Sequence, residues 1–390
     1  RVLSGMLPEL DPQAQQQVLG LICDRGDLSS VQPVLGMLNT DSEPVRLMAI
    51  KALTTLGSDR SATALFPVAV AGEGNCKKAA QQGLARMIGA GVEEVIQAKA
   101  ASGDTQMRVV AIGLLGERHT AGAFASLLAY AGENTEAISV AAFKALAEVA
   151  EAGDIAAVAE LLARTKGKQA RKSAVAALKA AVSRAADRDG AAQLVIDQMA
   201  RSDRDAQLSM LTVLNAQGGK TALRAVNQAC ASTDKAEQDA GVRTLSNWPD
   251  YEAVASLLEI STNADRSVTH SVLALRGALR LIKTSDAAPM DDRIIQALYA
   301  LDRARRADDK KLAVAALGSL PDVRVAERLL ELAQGGDLRV EAGLAAVECA
   351  GNMLSTDRQA AQDLARKIKA LDISDQINRR ADNVVRGRRR

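Results

Sequence analysis

The stretch DSEPVRLMAIKALTTLG at residues 41–57 spaces its apolar positions by three and four, the pattern of a helix with one buried face. Its Leu53 recurs as a column of anchors: Leu19, Leu84, Leu115, Leu146, Leu178, Leu214, Leu245, Leu317 and Val347. Most neighbours in this column lie 30 to 36 residues apart, and the 72-residue gap from Leu245 to Leu317 must hold one further copy. Four residues before the anchors stand Ala49, Ala80, Ala111, Ala142, Ala174, Met210, Gly241, Ala313 and Gly343, all small except Met210. Residues four apart share a helix face, so a small residue one turn before each leucine lets a neighbouring helix come close. Between the anchored segments lie second amphipathic runs, among them TAGAFASLLAYAG, IAAVAELLARTKG, YEAVASLLEIS and VAERLLELAQGG. Gly, Asp and Asn punctuate the joints, as helix stops and caps do. No run alternates in the manner of a strand. The unit is helix–turn–helix, repeated about eleven times, and the predicted architecture is an all-α solenoid whose stacked neighbours build a continuous core.

A different kind of position stands two residues before each anchor: Lys51, Gln82, Gly113, Lys144, Ala176, Thr212, Arg243, Ala315 and Ala345. Two residues after it come Thr55, Arg86, Glu117, Glu148, Ala180, Ala216, Asn247, Ser319 and Cys349. These residues are polar or small and are expected to face solvent. The repeat inside the long gap contains THSVLALRGALRLI at 269–282, with Arg276 in its middle. Taking Leu279 as its anchor would bury an unpaired guanidinium, which is very costly. Taking Leu275 would replace the small residue with Ser271. An anchor at Ala278 puts Ala274 in the small column and Arg276 in the exposed one, directly after Arg243. Arg280 then falls in the second exposed column. The expected outcome is a basic patch of Arg243, Arg276 and Arg280, extended by Lys283, that pairs with acids on the same face or receives an anionic partner.

The stretches DSEPVRLMAIKALTTLG, DTQMRVVAIGLLG and DDKKLAVAALGSL resemble HEAT repeats, and the resemblance covers nearly the whole chain. The tryptophan-led tetratricopeptide pattern and the ankyrin TPLH are absent. The short period is similar to that of the bacterial HEAT-like class also seen in bilin lyases. Such a resemblance implies a right-handed superhelix whose concave side carries the exposed columns and binds extended partners. It also implies a polar ladder of turn Asp and helix Arg, found here as Asp41 with Arg46 and Asp104 with Arg108, and departed from at Ser139 and Gln207. More narrowly, the WPD, LALRG and ALGSLP stretches resemble the HEAT module of large planctomycete-type bacterial proteins. These often also carry a 3-keto-disaccharide hydrolase-type domain, of which this chain contains no part. The implied function is a non-catalytic scaffold for a protein partner or a neighbouring domain of the same polypeptide, with Lys51, Lys144, Arg243, Arg276 and Arg280 as its partner-binding residues. An accessory module of a carbohydrate-active or bilin-lyase-like enzyme is the alternative. The multidomain resemblance would place the chain in the periplasm or outside the cell; otherwise it is expected in the cytoplasm. The expected division is a repeat solenoid over 1–354, a capping helix over 355–378 and a basic, disordered tail over 379–390.

Composition narrows the chemistry. Aromatic residues make up only 2% of the 390 residues, so the core rests on Ala, Leu and Val. The formal net charge is +2, and residues 379–390 hold six Arg against Asp382, which leaves the rest of the chain slightly acidic. A DNA-binding channel of the HEAT-type glycosylase kind calls for basic and aromatic residues that this sequence lacks. The cysteines at 23, 76, 230 and 349 form no CxxC, and His119 and His270 stand about five repeats apart, so neither set points to a metal. The glycines and lysines of AGEGNCKK do not follow the phosphate-loop order. The acid pairs Glu93–Glu94, Asp291–Asp292 and Asp308–Asp309 sit at predicted helix starts, where they cap amides. Trp248, followed by Pro249, is expected to cover a joint between repeats; exposed, it would offer a sugar- or partner-stacking platform. No catalytic residue, cofactor or metal is expected, and no apolar run is long enough to span a membrane. The chain begins at Arg1 and reads as a mature form or a fragment.

Overall fold

Asp11 opens the first long helix by accepting the amides of Gln13 and Ala14, and Gly26 closes it in the left-handed region at φ 63°. The same grammar recurs along the computed structural model, which describes residues 5–388. Every described element is a helix, a 3₁₀ turn or a connecting loop. Two compact units emerge, one running to residue 187 together with 197–210, the other comprising 188–196 and 211 onward.

The first unit contains α1 (Pro12–Arg25), α2 (Val31–Gly36), α3 (Glu43–Leu56), α4 (Asp59–Ala71), α5 (Gly74–Arg86), α6 (Val92–Ser102), α7 (Thr105–Glu117), α8 (Ala123–Ala131), α9 (Glu136–Val149), α10 (Ile155–Arg164) and α11 (Lys168–Ser183). Residues of α12 (Arg188–Met199) and α13 (Arg204–Leu211) are shared between the units. The second unit holds α14 (Lys220–Cys230), α15 (Lys235–Ser246), α16 (Val254–Thr262), α17 (Val268–Thr284), α18 (Met290–Arg303), α19 (Ala307–Gly318), α20 (Val323–Ala333), α21 (Arg339–Met353), α22 (Arg358–Ala370) and α23 (Asp375–Val385). Among the described residues, α1 is thus followed by eleven helix pairs; the anchor stands in the second helix of nine of them, lies just past the end of α13 at Leu214, and has no counterpart in α23.

Within each unit the anchored helices stack on one another: α1 on α3, α3 on α5, α7 on α9 and α9 on α11, then α15 on α17, α17 on α19 and α19 on α21. Leu19, Leu53, Leu84, Leu115, Leu146, Leu178, Leu245 and Leu317 are all buried in the seams. Glycine explains how a core nearly without aromatics closes. A Cβ on Gly116 of α7 would lie 2.7 Å from the Ala145 Cα of α9, and one on Gly277 of α17 would lie 2.7 Å from the Ser246 carbonyl oxygen of α15. Backbones therefore pack directly, and ordinary side-chain volume is not needed there. Cys230 at the end of α14 and Cys349 in α21 are buried, and burial pushes their thiols up to about 12 and about 11.

In several repeats the residue seven before the anchor closes the hairpin. Arg46 Nη1 donates to the Thr40 carbonyl at 2.7 Å, Arg108 Nε to that of Ala100 at 2.8 Å and Arg171 Nε to that of Thr165 at 3.0 Å. Ser139 Oγ does the same to Ala131 at 2.7 Å, and Gln207 Nε2 to Ser202 at 2.9 Å. The two positions where the motif is departed from keep a donor and lose only the charge. The acid partner also differs from the motif reading: Arg108 forks onto Glu133 of the next hairpin at 2.9 and 2.6 Å, while Asp104 caps α7 through the Met107 amide. Replacing Ser139 by Ala leaves the Ala131 carbonyl unpaired in a buried place. Chemical denaturation should show a loss of about 1–2 kcal/mol.

Two boundaries differ from those expected. In α21 the anchor is Ala346, not Val347: Gly318 of α19 packs on the Ala345 Cα at 2.8 Å, the relation Gly116 has to Ala145. Ala345 and Cys349 are therefore buried, and Glu348 takes the outward position. The run GLAAVECAG is small and apolar enough to fit either register, and packing by α22 and α23 decides between them. Residues 355–378 do not form one capping helix, nor do 379–385 form a tail. Ser374 caps a new helix through the Ile377 amide, and Ile377, Ala381 and Val384 bury one side of α23. Residues 389 and 390 of the expected tail, and residues 1–4, lie outside the described residues.

Candidate functional site

The outward face of the anchored helices follows from the seam. With an anchor and its small partner buried, positions two before and two after the anchor point away from both neighbours. In the first unit Lys51, Gln82, Gly113, Lys144 and Ala176 are exposed, as are Thr55, Arg86, Glu117 and Glu148. In the second unit Arg243, Arg276, Ala315 and Asn247 are exposed. The ammonium groups of Lys51 and Lys144 have no hydrogen-bond or ion-pair partner among the described residues.

The anchor at Ala278 is the register found. Ala274 and Ala278 are fully buried, Gly277 packs on α15, and Arg276 is exposed between them. The three arginines of the expected patch then have three different fates. Arg243 Nε donates to Asp239 Oδ2 at 2.7 Å, and His270 Nε2 stands 3.1 Å from Oδ1 of the same carboxylate. The Arg243 guanidinium, and after it His270, holds the Asp239 carboxyl below the usual carboxylate range. Arg280 turns back, and its Nη2 donates to the carbonyls of Trp248 at 2.6 Å and Ser246 at 3.4 Å. Arg276 meets no carboxylate or carbonyl among the described residues, and Lys283 one turn beyond Leu279 is exposed as well.

The Arg280 arrangement is one instance of a staple that the sequence columns do not reveal. Arg118 Nη1 donates to the carbonyls of Leu84, Ala85 and Met87 at 2.9, 3.2 and 2.9 Å, closing the C-terminus of α5. Arg184 closes that of α9 through Ala150 at 2.7 Å and Ala147 at 2.9 Å. Each arginine places its charge against the negative end of the preceding anchored helix. Because the three sit at different offsets from their anchors, no fixed column contains them. Their common signal is a separation of about one repeat from the carbonyls they hold.

Trp248 is fully buried, so it covers the joint after α15 and offers no stacking platform. His119 lies in the α7–α8 turn at φ 47°, and His270 is buried beside Asp239. The paired acids stand in the first turns of α6, α18 and α19. No group of His, Cys, Asp and Glu able to hold a metal occurs among the described residues, and no described helix is long and apolar enough to cross a membrane.

Comparison with known proteins agrees with this geometry at the level of fold. The family model described as HEAT repeats matches residues 2–85. No curated protein matches the chain. Among solved structures, Kap95p from a study of its binding to RanGDP superposes with a TM-score of 0.56 at 11% identity, over 99% of this chain and 60% of that one. The karyopherin Kap121p bound to the extreme C-terminus of the phosphatase Cdc14p gives 0.54 at 12% identity, over 99% of this chain and 51% of that one. Importin beta gives 0.53 at 10% identity, over 99% and 61%. The chain spans between half and three fifths of the length of these proteins. What they share with it is the architecture: this chain is an all-helical α-solenoid, similar in fold to these proteins, with HEAT repeats matched over residues 2–85.

Proposed function

We propose that the chain is a non-catalytic scaffold that holds a segment of a protein partner, or of a neighbouring domain, against the outward face of its anchored helices. The observation that carries this reading is Arg276: a guanidinium with no partner, exposed on a helix whose other central residues are buried. Arg243 stands on the next helix, about one interhelical spacing of 10 Å away, and has Asp239 as counter-ion. An acidic segment would supply the counter-charge that the Arg276 guanidinium lacks. In this reading residues 1–354 act as the repeat body, Lys51 and Lys144 offer further contacts in the first unit, and Arg280 serves the fold. Kap121p, a protein of similar fold, is known bound to the extreme C-terminus of the phosphatase Cdc14p, which supports the reading of this chain as a holder of a protein segment. The burial of Trp248 removes the aromatic platform that a sugar-binding accessory module would have used.

An array of acidic 15-residue peptides, with neutral scrambles as controls, tests the reading. Acidic hits should bind the wild type, and Arg276→Glu should weaken them at least tenfold, about 1.4 kcal/mol, without altering the melt. Hits untouched by both Arg276→Glu and Lys144→Glu would remove this face from the function.

A further inference from the structure

At the turn edge of the second unit a cavity of about 180 Å³ opens between the α16–α17 turn and the α18–α19 turn. Four guanidiniums line it: Arg266 from the first turn, Arg303 from the end of α18, and Arg305 and Arg306 from the second turn. Asp309 is the one acid among the lining residues. Arg266, Arg303 and Arg305 form no ion pair among the described residues, and Arg306 reaches only Asp308, at 3.8 Å. Arg305 Nη2 donates to the Thr262 carbonyl at 3.1 Å, which ties the two turns together, and Arg303 lies over the Tyr299 ring at 5.5 Å. Nη1 of Arg266 is buried without an acceptor. Helix α19 begins at the same place: Arg306 is its N-cap and supplies no side-chain cap to the first-turn amides. The α17 start nearby is closed by Ser267, which accepts the His270 amide.

The repeat architecture does not by itself require this charge. The first unit has a cavity at the equivalent place, between the α8–α9 and α10–α11 turns, lined by Glu133, Glu136, Arg164 and Lys166. There the signs balance. In the second unit they do not, and arginine cannot relieve the repulsion by losing a proton. Guanidinium forks match the oxygens of phosphate two at a time, and an open helix N-terminus adds amide donors and the positive end of a dipole. Four arginines against Asp309 leave a net lining charge of +3, of which a dianion offsets two thirds and a single carboxylate only one third. Val268, Leu275 and Ala300 form an apolar wall beside the arginines.

We propose that this cavity binds a phosphate group, free or as a monoester. The site is separate from the outward face of the anchored helices, and its test uses none of that face's residues. Calorimetric titrations of the full chain with inorganic phosphate and with O-phosphoserine distinguish the two sources: the apolar wall favours the ester, and equal affinities assign the free ion. L-glutamate serves as the carboxylate control. The double variant Arg303→Glu/Arg306→Glu, at exposed positions, should weaken phosphate binding at least thirtyfold, while Lys166→Glu in the first-unit cavity leaves it unchanged. Should the double variant melt early, Arg306→Gln alone replaces it, with an expected loss of about fivefold. Absence of phosphate binding to the wild type, glutamate binding as tight as phosphate, or affinity unchanged in the arginine variants overturns the assignment.

Discussion

Gly57→Ala should destabilise the first unit by about 3 kcal/mol or more, although it adds a single methyl group. Gly57 ends α3 at φ 49°, a conformation that costs a non-glycine residue about 1–2 kcal/mol. The larger effect is steric. A Cβ there would lie 1.8 Å from the Ile88 carbonyl oxygen, and a Cβ on Gly89 would lie 2.1 Å from the Gly57 carbonyl oxygen. The two inter-repeat turns touch backbone to backbone, so no side chain can swing aside. The turn cannot retreat either, because Arg118 holds the Met87 carbonyl from the next repeat at 2.9 Å. Overpacking against a fixed backbone adds about 1–3 kcal/mol to the strain. Gly26→Ala is the internal control. It shares the left-handed backbone, at φ 63°, but has nothing within 4 Å of its would-be Cβ, so it should cost only the conformational part. Far-UV circular dichroism in urea reads both, and amide exchange over 43–118 localises the loss. Equal effects for the two glycines would show that the turn contact carries no energy.

The seam was legible because it repeats. A leucine with a small residue one turn earlier marks the same junction in most repeats, and Arg276 falls into place once Ala278 is accepted as an anchor. Legibility fails where one physical role is filled by unlike residues. Arg46, Ser139 and Gln207 all donate to the end of the preceding helix, and a motif written in charges misses the last two. It fails again where small apolar residues permit two registers, as around Ala346. Long side chains are the third case: a column fixes where a Cα sits, and Arg280 shows that a guanidinium then finds its own partner. The arginines of the second-unit cavity were out of reach for a further reason. They sit on turns about 40 residues apart, and only the stacking of two repeats brings them together.

Arg276→Glu and Arg280→Glu, one helical turn apart on α17, should behave oppositely. Arg276 touches no partner and lies in the exposed column, so reversal there should change stability by no more than about 0.5 kcal/mol. Arg280 donates to the carbonyls of Trp248 and Ser246 at the end of α15. Reversal removes two charge-assisted hydrogen bonds, worth about 1.5–3 kcal/mol together with the carbonyls left unpaired. It also sets a carboxylate against the negative end of the α15 dipole, which adds about 0.3–1 kcal/mol. The expected loss is about 2–4 kcal/mol. Trp248 is the chain's single tryptophan, fully buried in the second unit, with its own carbonyl accepting from Arg280. Its fluorescence therefore reports the junction directly, and Arg280→Glu should shift that transition to lower urea while Arg276→Glu leaves it in place. Arg280→Gln, which keeps a donor without the charge, should recover part of the loss, because the carbonyls need a hydrogen more than they need a cation. If Arg276→Glu proved the more damaging of the two, the outward-facing register of α17 would be wrong, and with it the face on which the scaffold reading rests.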